Sequence, residues 1–101
     1  MAKCLMIDDQ PAYKITDRDL SKKDLDIALS VKEGIEAMEK NPVYERLYLD
    51  MNLGDGSGID VLTWLSDHMD KVPKEIIPVS FGFNKDLTCM IGALMATKNR
   101  N

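Results

Sequence analysis

The sequence predicts an α/β domain built on a small parallel sheet, and three observations lead to that fold class. Short apolar runs alternate with amphipathic segments, which is the order of a sheet whose strands are joined by helices. The first run, residues 4–7, is apolar at every position, as expected of a strand buried on both faces. The amphipathic segments repeat their apolar residues at helical spacing. With 101 residues, the chain is expected to form a single domain, residues 1–101.

Four apolar runs predict strands, of which the second is weak. The polar stretch between the first two, residues 10–25, is broken by a proline, so any helix there is expected to be short. The fourth run contains Pro78, which cannot donate to a sheet ladder and favours an edge position with its nitrogen facing outward. The predicted strands are residues 4–7 (CLMI), 26–29 (DIAL), 46–50 (RLYLD) and 75–80 (EIIPVS).

Three segments predict helices with one apolar face. Ser30 opens the first as part of a capping box with Glu33, and Asn41-Pro42 is expected to end it. The second is expected to end near Asp70. The third carries apolar residues at i, i+3, i+4, i+7 and i+8. The apolar positions are Val31, Ile35 and Met38 in the first, Ile59, Leu62, Leu65 and Met69 in the second, and Leu87, Met90, Ile91, Leu94 and Met95 in the third.

Composition and charge exclude several classes of protein. The formal net charge is −4, whereas a protein that binds the phosphate backbone of nucleic acids needs a basic surface. No apolar run approaches the roughly 18 residues that span a bilayer. The chain is charged by its eighth residue, so no secretory signal is expected. These features predict a protein of a bacterial or host-cell cytoplasm that binds neither nucleic acid nor membrane.

The two cysteines, Cys4 and Cys89, both lie among apolar neighbours and lack the CxxC spacing of a redox pair. This arrangement predicts a reduced, intracellular protein with both thiols in its core. A disulfide or redox pair is the alternative.

Polar side chains follow three of the predicted strands. Asp8 and Asp9 end the first strand, Asp50 ends the third and Ser80 ends the fourth. Because the carboxyl ends of parallel strands share one edge of a sheet, the three carboxylates converge there if the first and third strands are adjacent. Such a cluster needs a cation to offset its charge, and Mg²⁺ takes oxygen ligands of this kind. For any one of these aspartates, a turn or a helix cap is the alternative.

These residues resemble the receiver domains of two-component response regulators. An acidic pair follows the first strand, and residues 47–62, LYLDMNLGDGSGIDVL, show the family's spacing of strand, aspartate, loop, glycine and helix. PVS ends the fourth strand thirty residues beyond Asp50, where the family keeps Ser or Thr. The resemblance covers about residues 3 to 84. It implies a flavodoxin-like parallel sheet of about four strands in the order 2-1-3-4, flanked by helices and lacking the family's fifth strand and last helix.

The resemblance also implies a role for each polar residue at this edge. Asp50 would be the phosphoacceptor, attacking a phosphodonor to give an acyl phosphate. Ser80 would hydrogen-bond the phosphoryl group and report its presence. The implied ligands of Mg²⁺ are Asp8, Asp9, Asp50 and the backbone carbonyl of Asn52.

The sequence departs from the usual receiver pattern in several places. Gly54 stands where the loop usually has a proline, and the first helix is abbreviated. The family's fifth-strand lysine would fall just beyond Asn101, so weaker phosphoryl capture is expected. Lys85, at the start of the last helix, is the nearest candidate to replace that lysine; an ordinary surface lysine is the alternative. This shortened form looks closer to the receiver-like family labelled as cyclic-phosphate-processing.

Three functions stay open on the sequence alone. In the first, Mg²⁺-dependent phosphorylation of Asp50 changes the affinity for a protein partner through the Ser80 loop and the last helix. In the second, a degenerate receiver, of the compact kind common in phage genomes, acts as a phosphorylation-independent adaptor or inhibitor. In the third, the same metal site serves an enzyme that acts on small cyclic phosphate esters. A homodimer through the fourth-strand edge or the last helix is a further hypothesis.

Overall fold

The structure, a computed structural model, describes residues 3–9, 25–79 and 85–99. Within those ranges the chain forms four strands and three α-helices. The strands are β1 (Cys4–Ile7), β2 (Leu25–Ala28), β3 (Arg46–Leu49) and β4 (Glu75–Pro78), and the helices are α1 (Val31–Lys40), α2 (Gly58–Ser66) and α3 (Lys85–Asn99). All neighbouring strands are parallel and their order is β2-β1-β3-β4, as predicted.

One face of the sheet packs against all three described helices. Leu5 lies opposite Leu47 in the β1–β3 pair, and Leu47 lies opposite Ile76 in the β3–β4 pair, so these side chains form a row across the sheet. This row belongs to a continuous buried core with one contributor or more from every helix. The helical contributors that are buried are Met38 from α1, Val61, Leu62 and Leu65 from α2, and Leu87 and Leu94 from α3.

Strand β1 is central and β4 lies at an edge. All four residues of β1 are buried, which explains why its sequence is apolar without alternation. On β4, the backbone N–H of Val79 donates to the Leu49 carbonyl at 3.0 Å, and that of Glu75 also donates toward the β3 side. Pro78 has the opposite parity, so its donorless nitrogen faces away from β3 at the open edge. The predicted edge position of this strand is confirmed.

Helix α1 begins and ends where its capping residues predict. The Ser30 hydroxyl oxygen accepts a hydrogen bond from the backbone N–H of Glu33 at 3.1 Å. At the other end, the side-chain amide of Asn41 donates to the Ala37 carbonyl at 2.7 Å, immediately before Pro42. Capping at both ends fixes the length of the helix, because it satisfies backbone groups that a helix terminus leaves open.

Helix α2 ends earlier than predicted. It stops at Ser66, and residues Met69–Lys71 form a separate 3₁₀ turn rather than a continuation toward Asp70. The chain tightens at the end of the helix, since the backbone N–H of Asp67 bonds the Trp64 carbonyl three residues back. Met69 still packs against the core. Its spacing from Leu65 therefore resembled that of a single helix, although the chain forms two separate elements.

The prediction that both cysteines are in the core is wrong for Cys89. Cys4 is buried in β1, whereas Cys89 is exposed on α3. The reason is helical geometry: Cys89 follows the buried Leu87 by two residues, which places it about 200° around the helix on the solvent side. No helix in the described ranges is long and apolar enough to cross a membrane.

A buried tyrosine links two strands at the end of the sheet that lies away from the aspartates that follow β1 and β3. Tyr44, 2% exposed, precedes β3, and its hydroxyl donates to a carboxylate oxygen of Asp26 on β2 at 2.7 Å. Lys3 lies 3.3 Å from the other oxygen of that carboxylate. Burial and the neighbouring Asp26 raise the pKa of Tyr44 well above its usual value, so the phenol keeps its proton and acts as the donor.

We expect Tyr44→Phe to lower the free energy of unfolding by about 1 kcal/mol, because the Asp26 carboxylate loses a partly buried donor. Urea denaturation of the variant and the unaltered protein measures this difference. The same substitution in an Asp26→Ala background is the control, and it should cost clearly less there. Equal costs in the two backgrounds would show that the loss does not come from the bond between the hydroxyl and Asp26.

Candidate metal centre

The pairing of β1 with β3 brings three aspartates together at the carboxyl edge of the sheet. Ile7 and Leu49 lie opposite each other at the ends of these strands, and the backbone N–H of Asp50 donates to the Ile7 carbonyl at 3.0 Å. One carboxylate oxygen from each of Asp8, Asp9 and Asp50 lies within 4.8 Å of the others. The structure therefore brings together the three carboxylates that the sequence places at the ends of β1 and β3.

The burial of these side chains makes the cluster chemically suited to a cation. Asp8 is fully buried and Asp50 is 4% exposed, whereas Asp9 is exposed and lies at the solvent side. Burying two neighbouring carboxylates is costly unless positive charge offsets them. The donor set consists of hard oxygens, which suits Mg²⁺ better than a metal that prefers nitrogen or sulfur. The residues present therefore fit a magnesium ion.

The carboxylate of Asp50 has a fixed orientation. One of its oxygens, Oδ1, accepts a hydrogen bond from the backbone N–H of Met51 at 2.8 Å. The two residues are consecutive, so the contact depends only on the local backbone conformation at the end of β3. The hydrogen bond turns this oxygen toward the backbone of the next residue at the edge of the sheet.

Residues 51–58 form a small hairpin between β3 and α2, which we call the site hairpin. Asn52 faces Ser57 across it in an isolated antiparallel bridge. The flanking hydrogen bonds join the Gly58 N–H to the Met51 carbonyl (2.9 Å) and the Leu53 N–H to the Gly56 carbonyl (3.1 Å). In a pair flanked in this way, the backbone groups of Asn52 itself point away from Ser57. The Asn52 carbonyl thus takes no part in the hairpin's own hydrogen bonds, which fits its predicted role as a ligand.

The tip of the site hairpin explains a departure from the receiver pattern. Gly54 has φ +74°, and the Asp55 N–H donates to the Leu53 carbonyl at 2.7 Å, which makes a γ-turn. Glycine adopts this positive φ without a steric penalty. A proline would be fixed near a φ of about −65°, so the proline that receiver loops usually carry is incompatible with this turn.

Gly58, the first residue of α2, lies directly against the site. A Cβ atom there would be 2.6 Å from the backbone carbonyl oxygen of Asp50 and 3.2 Å from side-chain atoms of Leu49 and Leu87. Because the first of these atoms belongs to the backbone, it cannot move aside cheaply. The absence of a side chain at Gly58 is what lets α2 start this close to Asp50.

We expect Gly58→Ala to destabilise the protein by about 1–3 kcal/mol, as overpacking of a buried contact does. Thermal or urea unfolding measures the loss. Gly92→Ala is the matched control, because Gly92 lies in α3 with open space around its position, and alanine there should be neutral or stabilising. If both variants had the same stability, the close approach at Gly58 would carry no energetic weight.

The structure leaves the roles of two residues of the predicted site untested. Ser80 lies outside the described residues, so its role stays a prediction. Lys85 is exposed at the first residue of α3, and its substitution for the family's lysine also stays a prediction.

A further residue of this region, Asp55, was missed by sequence reasoning. Its two carboxylate oxygens accept hydrogen bonds from the backbone N–H groups of Val31 (2.9 Å) and Lys32 (3.2 Å) at the start of α1. These two bonds lower the pKa of Asp55 below its ordinary value. The partners are 24 and 23 residues away in the chain, so no local sequence pattern indicates the contact.

The ionised Asp55 should make a pH-dependent contribution to stability. Because its pKa is lower in the folded than in the unfolded state, the contribution is complete above the ordinary pKa of about 4 and is lost as the pH falls through the depressed value. Asp55→Asn imitates the protonated side chain. We expect its urea midpoint to lie below that of the unaltered protein at pH 7, and the two midpoints to converge in acid. A difference that stays constant down to the acid limit would contradict this.

A known family of domains matches most of this chain. The sequence model described as the cyclic-phosphate processing receiver domain matches residues 3–81, which include the aspartate cluster and the site hairpin. The chain belongs to this family. Among curated proteins, no sequence matches.

Two solved structures show the same fold as this receiver domain. The MaeR response regulator bound to beryllium trifluoride is 21% identical, with a TM-score of 0.66 over 94% of this chain and 78% of its own. A two-component response regulator from Legionella pneumophila is 16% identical, with a TM-score of 0.68 over 93% of this chain and 81% of its own. These similarities place the four-stranded parallel sheet among flavodoxin-like receiver domains.

Proposed function

We propose that this receiver domain binds Mg²⁺ and accepts a phosphoryl group on Asp50, which changes its affinity for a protein partner. The observation that carries the proposal is the convergence of three carboxylates within 4.8 Å, two of them buried. The proposed ligands are Asp8, Asp9, Asp50 and the backbone carbonyl of Asn52. Carboxylate oxygens brought together in this way are ligands that suit a hard divalent cation such as Mg²⁺.

In the proposed reaction, a carboxylate oxygen of Asp50 attacks the phosphorus of a small phosphodonor such as acetyl phosphate. The new oxygen–phosphorus bond gives an acyl phosphate, and the donor's carboxylate leaves with the electron pair of the broken bond. Mg²⁺ would offset the negative charge on the transferring oxygens. The Met51 N–H supports this role because it already holds the Asp50 carboxylate in one orientation.

The signal would leave the site through the segment that follows β4. Ser80 would bond the phosphoryl group, and α3 begins five residues later at Lys85. The ammonium group of Lys85 is the proposed substitute for the family's fifth-strand lysine. Helix α3 has one face in the core and the other exposed, so a change at its first turn would reach a surface that a partner can contact.

Phosphorylation is tested by treating the protein with Mg²⁺ and acetyl phosphate and measuring the intact mass. We expect the mass to rise by one phosphoryl group, and beryllofluoride with Mg²⁺ to shift NMR signals of the site hairpin. Asp50→Asn should abolish both responses. Asp70→Asn is the matched control, because Asp70 is an exposed aspartate of the 3₁₀ turn, outside the cluster. If the unaltered protein showed neither an NMR response to Mg²⁺ nor a gain in mass, the proposal would be wrong.

The family match supports a second candidate function, hydrolysis of a small cyclic phosphate ester at the same metal site. Water would attack phosphorus, and the ring alkoxide would leave and take a proton. Turnover of a cyclic phosphate that Asp50→Asn abolishes, without a covalent phosphoryl adduct, would favour this enzyme over the signalling receiver. Partner binding that is unaffected by Asp50→Asn and by acetyl phosphate would instead favour a phosphorylation-independent binding module.

A further inference from the structure

The start of α1 depends on a residue from the site hairpin. A helix leaves its first backbone N–H groups without partners inside the helix. In α1 the first two, of Val31 and Lys32, donate to the carboxylate of Asp55, and the third, of Glu33, donates to Ser30. Asp55 therefore supplies two caps to a helix that lies elsewhere in the chain. A carboxylate at this position also interacts favourably with the helix dipole.

The site hairpin is held at both of its ends. At its base, Ser57 and Asp60 form a capping box, in which the Ser57 N–H donates to the Asp60 carboxylate at 2.9 Å, so this end is tied to α2. Near its tip, Gly56 lies so close to α1 that a Cβ atom there would be 3.1 Å from a methyl group of Val31. The Asp55 bonds add a polar attachment at this close approach.

Asn52 lies opposite Ser57 at the base of the site hairpin, three residues before Asp55 at its tip. It is exposed, and its backbone is held within the site hairpin by one hydrogen bond on each side of the Asn52–Ser57 bridge. Leu53, the next residue after Asn52, is bonded to Gly56 at the tip, so a displacement of Asp55 would be passed to Asn52 through this short connection. A metal ligand needs its position fixed to within about 0.5 Å.

We propose that Asp55 is a positioning residue for the metal centre. By fastening the tip of the site hairpin to α1, it fixes the Asn52 carbonyl where the cation binds, although it does not itself contact the cation. The inference rests on the proposed function, because it takes the Asn52 carbonyl as a ligand. It also implies reciprocity: if the Asp55 contact strengthens Mg²⁺ binding, Mg²⁺ strengthens the Asp55 contact with α1.

The first experiment compares Mg²⁺ affinity among the unaltered protein, Asp55→Ala, Asp55→Asn and Ser30→Ala by NMR titration. We expect Asp55→Ala to weaken Mg²⁺ binding by about tenfold, the lower end of the range for residues that orient metal ligands. Asp55→Asn should weaken it less, because the amide keeps one acceptor for α1 while losing the charge. Ser30→Ala removes a different cap of the same helix and leaves the hairpin contact intact, so it should not change the affinity.

The second experiment measures backbone amide exchange in the unaltered protein with and without Mg²⁺. Exchange at Val31 and Lys32 should slow when Mg²⁺ is added, because their N–H groups bond to Asp55. Glu33, which is held by Ser30 in the same turn, is the internal reference and should respond less. This readout does not depend on whether a variant folds.

The outcomes separate the inference from the function on which it rests. No Mg²⁺ binding by the unaltered protein would overturn the metal site and the inference together. Binding by the unaltered protein with equal affinity in Asp55→Ala would overturn the inference alone. Equal weakening by Ser30→Ala and Asp55→Ala would also overturn it, because the effect would then follow the stability of α1. If Asp55→Asn and Asp55→Ala weakened Mg²⁺ binding equally, the effect would come from the lost negative charge, and the positioning role would be overturned.

Discussion

The direct pairing of β1 with β3 is the constraint on which the rest of the structure depends. It buries β1 between two parallel neighbours and sets the ends of both strands side by side at one edge of the sheet. Asp8 and Asp50 then lie next to each other with little freedom to separate, because each is the first residue after a hydrogen-bonded strand. Among the residues that the structure describes, the buried carboxyl side chains are those of Asp8 and Asp50, and both lie at this edge. The site hairpin and the start of α2 are arranged around that concentration of charge.

Close packing around the cluster limits how the chain can vary there. Gly58 brings α2 against the Asp50 carbonyl, and Gly54 makes the turn that directs Asp55 toward α1. Gly58 is required because a side chain would not fit there, and Gly54 because its φ is positive. The loop is thereby connected to two helices, through hydrogen bonds from backbone N–H groups to the side-chain carboxylates of Asp55 and Asp60. Leu53 adds an apolar attachment, because its side chain is buried in the core.

The sequence was sufficient for the strand order, for the boundaries of α1 and for the clustering of Asp8, Asp9 and Asp50. The boundaries of α1 and the carboxylates at strand ends follow from local patterns, whereas the strand order, on which the clustering depends, follows from the resemblance to receiver domains. The sequence was insufficient where tertiary contact decides the outcome. Periodicity continued α2 to Met69, although the backbone tightens before it. The partners of Asp55 lie 23 and 24 residues away, and no local spacing rule connects them.

Pro78 has a consequence for how this sheet meets other chains. A strand that tried to add itself to β4 would find one backbone donor missing at the end nearest the aspartate cluster. Edge-to-edge assembly is therefore disfavoured at the place where it would cover the site. The same proline matters for protein engineering: a strand added beside β4 would meet this missing donor, and replacing Pro78 to restore it would risk making the edge prone to aggregate.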